Sequence, residues 1–317
     1  MNENRIVLSA NMKLFIGWVS VEKGLAENTK ESYALDLRHL REFLEENNLD
    51  ELSVSQSDLQ KFIEFLILLR LSQVSVHRHI SAVRGYYKFL AAEDIIKHDP
   101  TENLDMPKLA KPLPAVLCQE DVEILLEATT DDKGKVSLRN RAILELLYST
   151  GMRVGECLSV TTDQFLANEE YMIIIGKGNK ERVVPVGKVA REWVLRYLEE
   201  ERPKFVKPAS ANFLFINQGS GIGMGKPLSR MAVSTIVKEA VMRANLSDET
   251  SPHTLRHSFA THLLDGGCDL LVVKELLGHS NIKTTEIYTH ISNMRMILDH
   301  RMYHPRQKKI YNFRHSK

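Results

Sequence analysis

A cluster of prolines sets the strongest limit on how this chain can fold. Four of its ten prolines fall within 15 residues that have no hydrophobic periodicity. They are Pro100, Pro107, Pro112 and Pro114. Because proline lacks an amide hydrogen and disfavours helix in the residue before it, this stretch predicts an extended connection between two domains. The predicted organisation is a first domain over 1–104, a linker over 105–116, a second domain over 117–306 and a basic tail over 307–317.

The spacing of apolar residues predicts that the first domain is entirely helical. Two stripes recur at intervals of three and four residues, which is the pattern of the buried face of an amphipathic helix. The stripes comprise Tyr33, Leu37, Leu40 and Leu44, and then Val76, Ile80, Val83, Tyr87 and Leu90. Weaker patterns predict helices over 8–20 and 57–69, and no strand pattern precedes residue 110.

The second domain combines helical patterns with a pair of β-rich segments. Tyr171–Ile175 and Arg182–Val186 flank Gly176–Glu181, whose glycines and asparagine suit a hairpin turn. Residues 213–216 are a candidate short strand. Further helices are expected over 120–128, 138–149, 189–201 and 230–244, and then up to about residue 300. The expected fold is mainly α, with an all-α first domain and a mixed α+β second domain that contains a small antiparallel hairpin.

The overall charge gives no sign of a polyanionic partner. The chain has 42 Lys and Arg against 41 Asp and Glu, so its formal net charge is +1. The first 110 residues carry 13 basic and 17 acidic side chains, whereas the remainder carries 29 and 24. The balanced total conceals a modest asymmetry, and any binding of nucleic acid must come from local fields.

Cysteine usage and the amino terminus predict a cytoplasmic protein. The three cysteines are far apart and form no CxxC pair, which argues against a disulfide framework and a thiolate metal site. Residues 1–5 lack the basic and apolar regions of a signal peptide. The longest apolar stretch, 62–69, is interrupted by Glu64 and is too short to span a bilayer.

Two motifs match known ligand sites only in part. The glycine-rich segment 219–226 lacks the spacing of a phosphate-binding Walker A loop, so we interpret it as a flexible turn. His253 and His257 have the i, i+4 spacing of zinc ligands on a helix, but the glutamate of the HExxH motif is absent. A metal site is the weaker interpretation, and we expect neither a metal nor a cofactor.

A predicted helix start brings two anion-binding groups together. Ser251 and Pro252 suit the N-cap and the first helical position. His253 and Arg256 are three residues apart and share a face near the amino terminus of this helix, where the macrodipole favours an anion. An imidazole and a guanidinium therefore lie side by side in the predicted structure.

Other segments supply further groups that can bind or attack a phosphate, and they carry a family resemblance. They are Arg153 in TGMRVGE, Lys177 in the GKGNKER hairpin, His279 in LLGHS and Tyr288 in TTEIYTH. With HTLRHSFATHLL, which contains His253 and Arg256, these blocks resemble the tyrosine recombinases of the phage integrase family, in particular the bacterial XerC/XerD type. The resemblance covers about residues 8–305. It includes GLAENTKESYALDLRHLREFL and SVHRHISAVRGYYKFL, which are similar to the family's SAM-like, DNA-binding core-binding domain.

The resemblance implies a chemical role for five of these residues. Tyr288 attacks the scissile phosphate and forms a 3′-phosphotyrosyl bond, which a strand of the partner duplex then attacks, so that the reaction passes through a Holliday junction without ATP. Arg153 and Arg256 bind the nonbridging oxygens in place of a metal. His253 is the candidate base, and His279 is the candidate hydrogen-bond donor to the phosphate.

The remaining candidates are cations and one carboxylate. Lys177 is expected to donate a proton to the leaving 5′-oxygen, and Lys180, three residues further on, is a candidate DNA contact. Glu156 is expected to orient a neighbouring group of the site. Arg78 and Arg84, opposite the second apolar stripe, are candidate contacts of the first domain with DNA. We interpret the other histidines as structural residues or contacts to the DNA backbone.

The resemblance also implies partners. It predicts binding to double-stranded DNA as a homotetramer or as a heterotetramer with a second recombinase, activated by a septal DNA translocase. The segment Asn293–Tyr303 is expected to dock into a neighbouring protomer. Resolution of chromosome dimers at cell division is the first expectation for function. The alternatives are a mobile-element or phase-variation recombinase and a noncatalytic DNA-binding regulator, and the complete set of site residues argues against the last.

Overall fold

Two separate hydrophobic cores divide the chain into two units, Met1–Pro112 and Leu113–Lys317. The structure is a computed structural model. It describes residues 7–22, 27–105, 116–129, 137–176, 181–208, 212–218, 223–278 and 293–307. Within these ranges, no helix is long and apolar enough to cross a membrane.

Helices build the described part of the first unit, as the apolar stripes predict. They are α1 Ala10–Glu22, α2 Glu27–Glu46, α3 Gln56–Leu68 and α4 Gln73–Ala92. All five members of the second stripe are buried along α4, and Leu37, Leu40 and Leu44 on α2 lie in the same core. Residues 7–22 and 27–105 contain no strand, so the prediction of an all-helical first domain is confirmed.

Side-chain caps determine where two of these helices begin. At α3, Ser55 accepts a hydrogen bond from the backbone amide of Asp58, while the carboxylate of Asp58 accepts one from the amide of Ser55. At α4, the hydroxyl of Ser72 accepts from the amide of Ser75 at 3.1 Å. These bonds satisfy amides that have no partner within the helix.

The described part of the second unit contains further helices and one hairpin. The helices are α5 Gln119–Glu127, α6 Leu138–Thr150, α7 Val154–Ser159, α8 Thr162–Leu166, α9 Lys188–Arg196, α10 Arg230–Ala244, α11 Pro252–Asp265, α12 Leu270–Leu277 and α13 Asn293–Tyr303. A π-helical turn, Tyr197–Glu201, extends α9. Strands β1 Tyr171–Ile175 and β2 Glu181–Pro185 pair antiparallel with Ile174 opposite Arg182. The prediction of a mainly α fold with a small hairpin is therefore confirmed.

One predicted strand does not form. Phe213 makes an isolated bridge to Thr161, and Ile216 makes another to Pro227. Because the two ends of the 213–216 segment pair with different parts of the chain, no continuous ladder is built. The candidate strand is therefore wrong, although Leu214, Phe215 and Ile216 are buried.

Helix α6 lies in the core of the second unit. Eleven of its 13 residues are buried, which is the pattern of a helix enclosed by its neighbours. The helix ends at Gly151, which adopts the left-handed conformation with φ +59° and donates its amide to the carbonyl of Leu147 at 3.0 Å. A Cβ on Gly151 would lie 2.2 Å from Cδ1 of Phe259, so both the backbone and the packing require glycine.

Two histidines from the carboxyl-terminal part of the chain satisfy carbonyls at the end of α6. His300 on α13 donates from Nε2 to the carbonyl of Ser149 at 2.7 Å. His304 donates from Nε2 to the carbonyl of Tyr148 at 3.3 Å. The last carbonyls of a helix have no partner within it, and both histidines are buried, so these bonds replace water at the helix end.

Helix α13 packs against its own unit. Met296, Ile297 and His300 form its buried face, and Met296 joins the main core. The sequence predicts that this segment docks into a neighbouring protomer. Here its buried face covers the core of the same chain, and His300 on that face binds the carbonyl of Ser149 at the end of α6. Docking of the segment into a second protomer stays a prediction.

We expect Gly151→Ala to destabilise the protein by about 3 kcal/mol, because alanine adds both left-handed strain and a steric clash with Phe259. Urea unfolding of the full chain measures this loss. Gly17→Ala is the matched control, since a Cβ on this α1 residue would meet no described atom within 4 Å. Equal midpoints for the two variants would contradict the role of Gly151.

We expect the second unit to lose stability as the pH falls from about 6.5 towards 4. Burial lowers the pKa of His300 to about 4, so between these values the unfolded chain binds more protons than the folded chain. The pH dependence of the urea midpoint should be shallower in His300→Gln, which keeps a donor for Ser149 but does not titrate. The exposed His257→Gln is the control, and identical slopes for wild type and His300→Gln would disprove the linkage.

Candidate active site

Arg153 is the N-cap residue of α7 and lies two positions after Gly151. Its side chain is 41% exposed, and its Nη1 donates to Oε1 of Glu156 at 3.1 Å. Its backbone amide donates to Oε2 of the same carboxylate at 2.8 Å. Glu156 therefore fixes both the main chain and the side chain of Arg153.

Glu156 also binds a second arginine, Arg182 on β2. Nη1 and Nη2 of Arg182 donate to Oε1 and Oε2 of Glu156 at 2.9 and 2.8 Å, which is the parallel two-bond geometry favoured by guanidinium and carboxylate. Burial raises the pKa of Glu156, but the hydrogen bonds from Arg182 and Arg153 outweigh it and lower the pKa to about 2. The carboxylate is therefore ionised throughout the neutral range.

Arg256 on α11 connects two distant segments of the unit. Its Nη1 donates to the carbonyl of Gly151 at 2.5 Å, and its Nη2 donates to the carbonyl of Leu277 at 2.7 Å. Burial and then the positive charge of Arg153 lower the pKa of Arg256 to about 10, so it stays charged at neutral pH. A guanidinium has five N–H donors, and these two bonds use two of them.

Gly278 brings the end of α12 against Arg182. Gly278 is the left-handed C-cap of α12, with φ +66°. A Cβ on it would lie 3.1 Å from both Cζ and Nε of Arg182. Arg182 therefore lies against the main chain immediately before His279.

Four of the predicted functional residues lie outside the described ranges. They are Lys177, Lys180, His279 and Tyr288. Their roles stay predictions, but the described chain on both sides of 279–292 is fixed. Leu277 is held by Arg256 on one side, and α13 begins at Asn293 on the other.

His253 lies in the first turn of α11, where the sequence predicts it. The N-cap Ser251 accepts a hydrogen bond from the amide of Thr254 at 3.3 Å. His253 and His257 are exposed, whereas Arg256 is only 9% exposed and points to carbonyls. Across the described part of the chain, no group of three or more His, Cys, Asp or Glu side chains could hold a metal ion.

The two candidate DNA contacts of the first unit both have internal partners. Nη1 of Arg78 donates to Asp36 at 2.7 Å, and its side chain is 43% exposed. Burial raises the pKa of Asp36 to about 6, although the nearby Arg78 acts to lower it. Arg84 is half-buried and donates to the carbonyl of Leu104. The structure thus gives both arginines a structural role, and their contact with DNA stays a prediction.

We call Arg153, Arg182, Arg256 and Glu156 the arginine cluster. Two of the guanidiniums bind the carboxylate, and that of Arg256 binds the nearby carbonyl of Gly151, so the cluster carries an excess of two positive charges in a chain whose net charge is +1. Forked guanidinium donors match the oxygens of a phosphate group. The arrangement is therefore suited to bind and polarise a phosphodiester.

Arg182 is a member of the site that no motif predicts, although the strand pattern contains a signal for it. Side chains two apart on a strand share a face, and Val184 on the same strand is buried. The alternation of β2 thus places Arg182 on the buried face of the hairpin, opposite the buried Ile174. A charged residue at such a position needs a partner, and Glu156 supplies it.

Comparison with known proteins identifies the family. Residues 115–295 match the phage integrase family, and residues 12–94 match the N-terminal SAM-like domain of phage integrases. A protein of Chlorobaculum tepidum named tyrosine recombinase XerD is 41% identical over 297 residues, which cover 93% of this chain and 96% of the relative. A protein of the same name from Halalkalibacterium halodurans is 39% identical over 299 residues, with 93% and 98% coverage. The chain therefore belongs to the phage integrase family of tyrosine recombinases, which cut and rejoin DNA at specific sites.

Solved structures share the fold. The XerH site-specific recombinase in a pre-cleavage complex with its difH substrate has a TM-score of 0.62 and 26% identity, with 93% of this chain and 89% of that chain covered. A lambda integrase dimer bound to a COC′ core site has a TM-score of 0.68 at 16% identity, with 89% and 98% coverage. The second likeness concerns the fold alone.

We expect Glu156→Gln to destabilise the protein by about 3 kcal/mol, because the amide leaves two arginines without their counter-ion at a buried site. Urea unfolding of the full chain measures the effect. Glu200→Gln is the matched control: Glu200 pairs with Arg196 at 3.0 Å on an exposed helix surface, and its loss should cost about 0.5 kcal/mol or less. Equal losses for the two variants would contradict the central role of Glu156.

Proposed function

We propose that this tyrosine recombinase resolves chromosome dimers at cell division, by cutting and rejoining DNA at a chromosomal site through a 3′-phosphotyrosyl link to Tyr288. The names of the relatives support this role, since several proteins named tyrosine recombinase XerD are 38–41% identical over at least 92% of the chain. The similar XerH structure contains its difH substrate in a pre-cleavage complex. The proposed reaction on the chromosome takes place in the cytoplasm.

The observation that carries the proposed chemistry is the convergence of Arg153 and Arg256. They lie 103 positions apart in the sequence, yet Arg256 binds the carbonyl of Gly151, two residues before Arg153. In the transition state the nonbridging oxygens of the phosphate gain negative charge, and positioned guanidinium donors stabilise that charge without a metal. Loss of one such donor typically lowers the rate by about 10²- to 10³-fold.

Cleavage is proposed to begin with the hydroxyl of Tyr288. A tyrosine has an ordinary pKa of about 10, so it needs a base or a positive field to attack at neutral pH. His253 is the proposed base, and its exposed position in the first turn of α11 leaves it accessible. His279, directly after Gly278, is proposed to donate a hydrogen bond to the phosphate.

Departure of the 5′-oxygen completes the first step. The Tyr288 oxygen forms a bond to phosphorus, the bond from phosphorus to the 5′-oxygen breaks, and Lys177 supplies the proton that the 5′-oxygen takes up. The ordinary lysine pKa of about 10.4 must fall for this role, and neighbouring cations would lower it. Lys180 is proposed to contact the DNA from the same hairpin.

Rejoining reverses this chemistry on a different strand. A 5′-hydroxyl of the partner duplex attacks phosphorus, Tyr288 is released, and the exchange passes through a Holliday junction. The phosphotyrosyl link conserves the energy of the broken bond, so the proposed reaction needs no ATP, metal or cofactor.

Two duplexes require several active sites, and we propose a tetramer on double-stranded DNA, either of this chain alone or with a second recombinase. A septal DNA translocase is the proposed activator.

We expect the protein to form a covalent complex with a nicked suicide duplex from its own genome, from which the 5′-hydroxyl fragment diffuses away. Tyr288→Phe should form none, whereas Tyr171→Phe, a tyrosine at the start of β1, should form the complex normally. Gel electrophoresis under denaturing conditions measures the adduct. A chelator should leave its yield unchanged.

The outcome separates the proposed functions. Adducts at one chromosomal site support dimer resolution, whereas adducts at the ends of a mobile element or at an invertible segment support the alternative recombinases. Folded protein that binds DNA but forms no adduct on any genomic site would show a noncatalytic regulator. Inhibition by a chelator would restore the metal interpretation of His253 and His257.

A further inference from the structure

Arg182 joins three parts of the candidate active site that are far apart in the sequence. It lies on β2, binds Glu156 of α7 and packs against Gly278 at the end of α12. We propose that Arg182 is a positioning residue for DNA cleavage, which holds Arg153 through Glu156 and also holds the chain that leads into His279. The inference rests on the proposed cleavage by Tyr288.

Glu156 couples the position of Arg153 to that of Arg182, because it binds both residues. Each oxygen of Glu156 accepts one hydrogen bond from Arg182 and one from Arg153. Oε1 accepts from Arg182 Nη1 at 2.9 Å and from Arg153 Nη1 at 3.1 Å. Oε2 accepts from Arg182 Nη2 and from the Arg153 amide, both at 2.8 Å. Because the carboxylate is shared at both oxygens, a shift of Arg182 moves the partner to which Arg153 is bound.

The contact with Gly278 acts on the other side of the site. The position of a Cβ on Gly278 is only 3.1 Å from Cζ and Nε of Arg182 and 3.2 Å from Cδ. The carbonyl of Leu277 is bound by Arg256 at 2.7 Å. Two guanidiniums thus fix consecutive residues at the entrance to the segment that carries His279. Nε of Arg182 is buried and has no hydrogen-bond partner among the described residues.

These contacts distinguish Arg182 from a residue that binds substrate. The carboxylate of Glu156 binds both terminal nitrogens of Arg182 and compensates its charge, whereas Arg256 is bound, among the described residues, only by neutral carbonyls. The side chain of Arg153 is 41% exposed. A lysine at 182 would keep the charge but could not bind both carboxylate oxygens in parallel while packing flat against Gly278. The conservative variant therefore tests geometry rather than charge.

The experiment measures single-turnover cleavage of the suicide duplex by Arg182→Lys at saturating protein, together with DNA affinity and the unfolding midpoint. We expect the cleavage rate constant to fall about 10- to 100-fold, since small displacements of catalytic groups have effects of this size. The Kd for DNA should stay within twofold of wild type. A merely structural role would lower the midpoint without separating cleavage from binding.

Arg191→Lys is the matched control. Arg191 on α9 is also half-buried and also fixes main chain, because its Nη1 donates to the carbonyl of Asn168 at 2.8 Å, but it lies outside the arginine cluster. It should leave the cleavage constant within twofold of wild type. The proposal would be overturned if Arg182→Lys cleaved at the same rate as Arg191→Lys. It would also be overturned if Arg182→Lys lost cleavage only in proportion to its loss of DNA affinity.

A second measurement keeps the test decisive if the lysine substitution impairs folding: unfolding curves give the folded fraction of each variant, and cleavage is compared per folded molecule. Glu156→Gln should reduce cleavage, and the double variant Glu156→Gln/Arg182→Lys should cleave faster than the product of the two single defects predicts, because the two residues share one route to Arg153. Multiplicative defects would show independent roles and would overturn the proposal. A wild-type protein that forms no adduct would instead overturn the proposed function, and this inference with it.

Discussion

The two hydrogen bonds of Arg256 organise the second unit. They join the carbonyl that follows α6 to the carbonyl at the end of α12, across sequence separations of 105 and 21 residues. Burial of a guanidinium is unfavourable, and burial accordingly lowers the pKa of Arg256 to about 10. Carbonyl groups compensate for the lost water because both lie at helix ends, where they have no partner within the helix. The same contact that satisfies two helix ends thus places a cation beside Arg153.

The end of α6 illustrates how the core and the site depend on each other. Its carbonyls at 148 and 149 are bound by His304 and His300, and the carbonyl of Gly151 is bound by Arg256. Three side chains from the last 62 residues of the chain therefore cap one helix. The left-handed turn at Gly151 directs the chain away from this capped end and into α7, so Arg153 emerges at its N-cap. A disturbance of the cap is therefore also a disturbance of the site.

Periodicity predicts the longer helices, because burial of one face repeats with the geometry of the element, whereas the short α7 and α8 contain too few turns to show it. The stripe of Val76, Ile80, Val83, Tyr87 and Leu90 predicts the buried face of α4, and all five residues are buried. Chemical motifs select Arg153, His253 and Arg256 as candidates, and their catalytic roles stay predictions. The pairing of Arg182 with Glu156 could not be read from the sequence, because 26 positions separate them and only the hairpin register brings them together. The packing of α13 on its own unit could not be read from the sequence either, since an apolar face does not specify what it covers.

The carboxylate of Glu156 reduces the positive potential of the arginine cluster, so the presence of this carboxylate needs a physical reason. Three guanidiniums close together repel one another, and the repulsion is visible in Arg256, whose pKa both neighbouring arginines lower. Glu156 offsets this repulsion unevenly. It accepts hydrogen bonds from both terminal nitrogens of the buried Arg182 but from only one side-chain nitrogen of Arg153. The pair therefore neutralises the arginine that lies deepest against the main chain. The exposed fork of Arg153 and the remaining donors of Arg256 keep their charge for an anionic ligand. In a chain with nearly equal numbers of acids and bases, this division explains how a strong local field coexists with a net charge of +1.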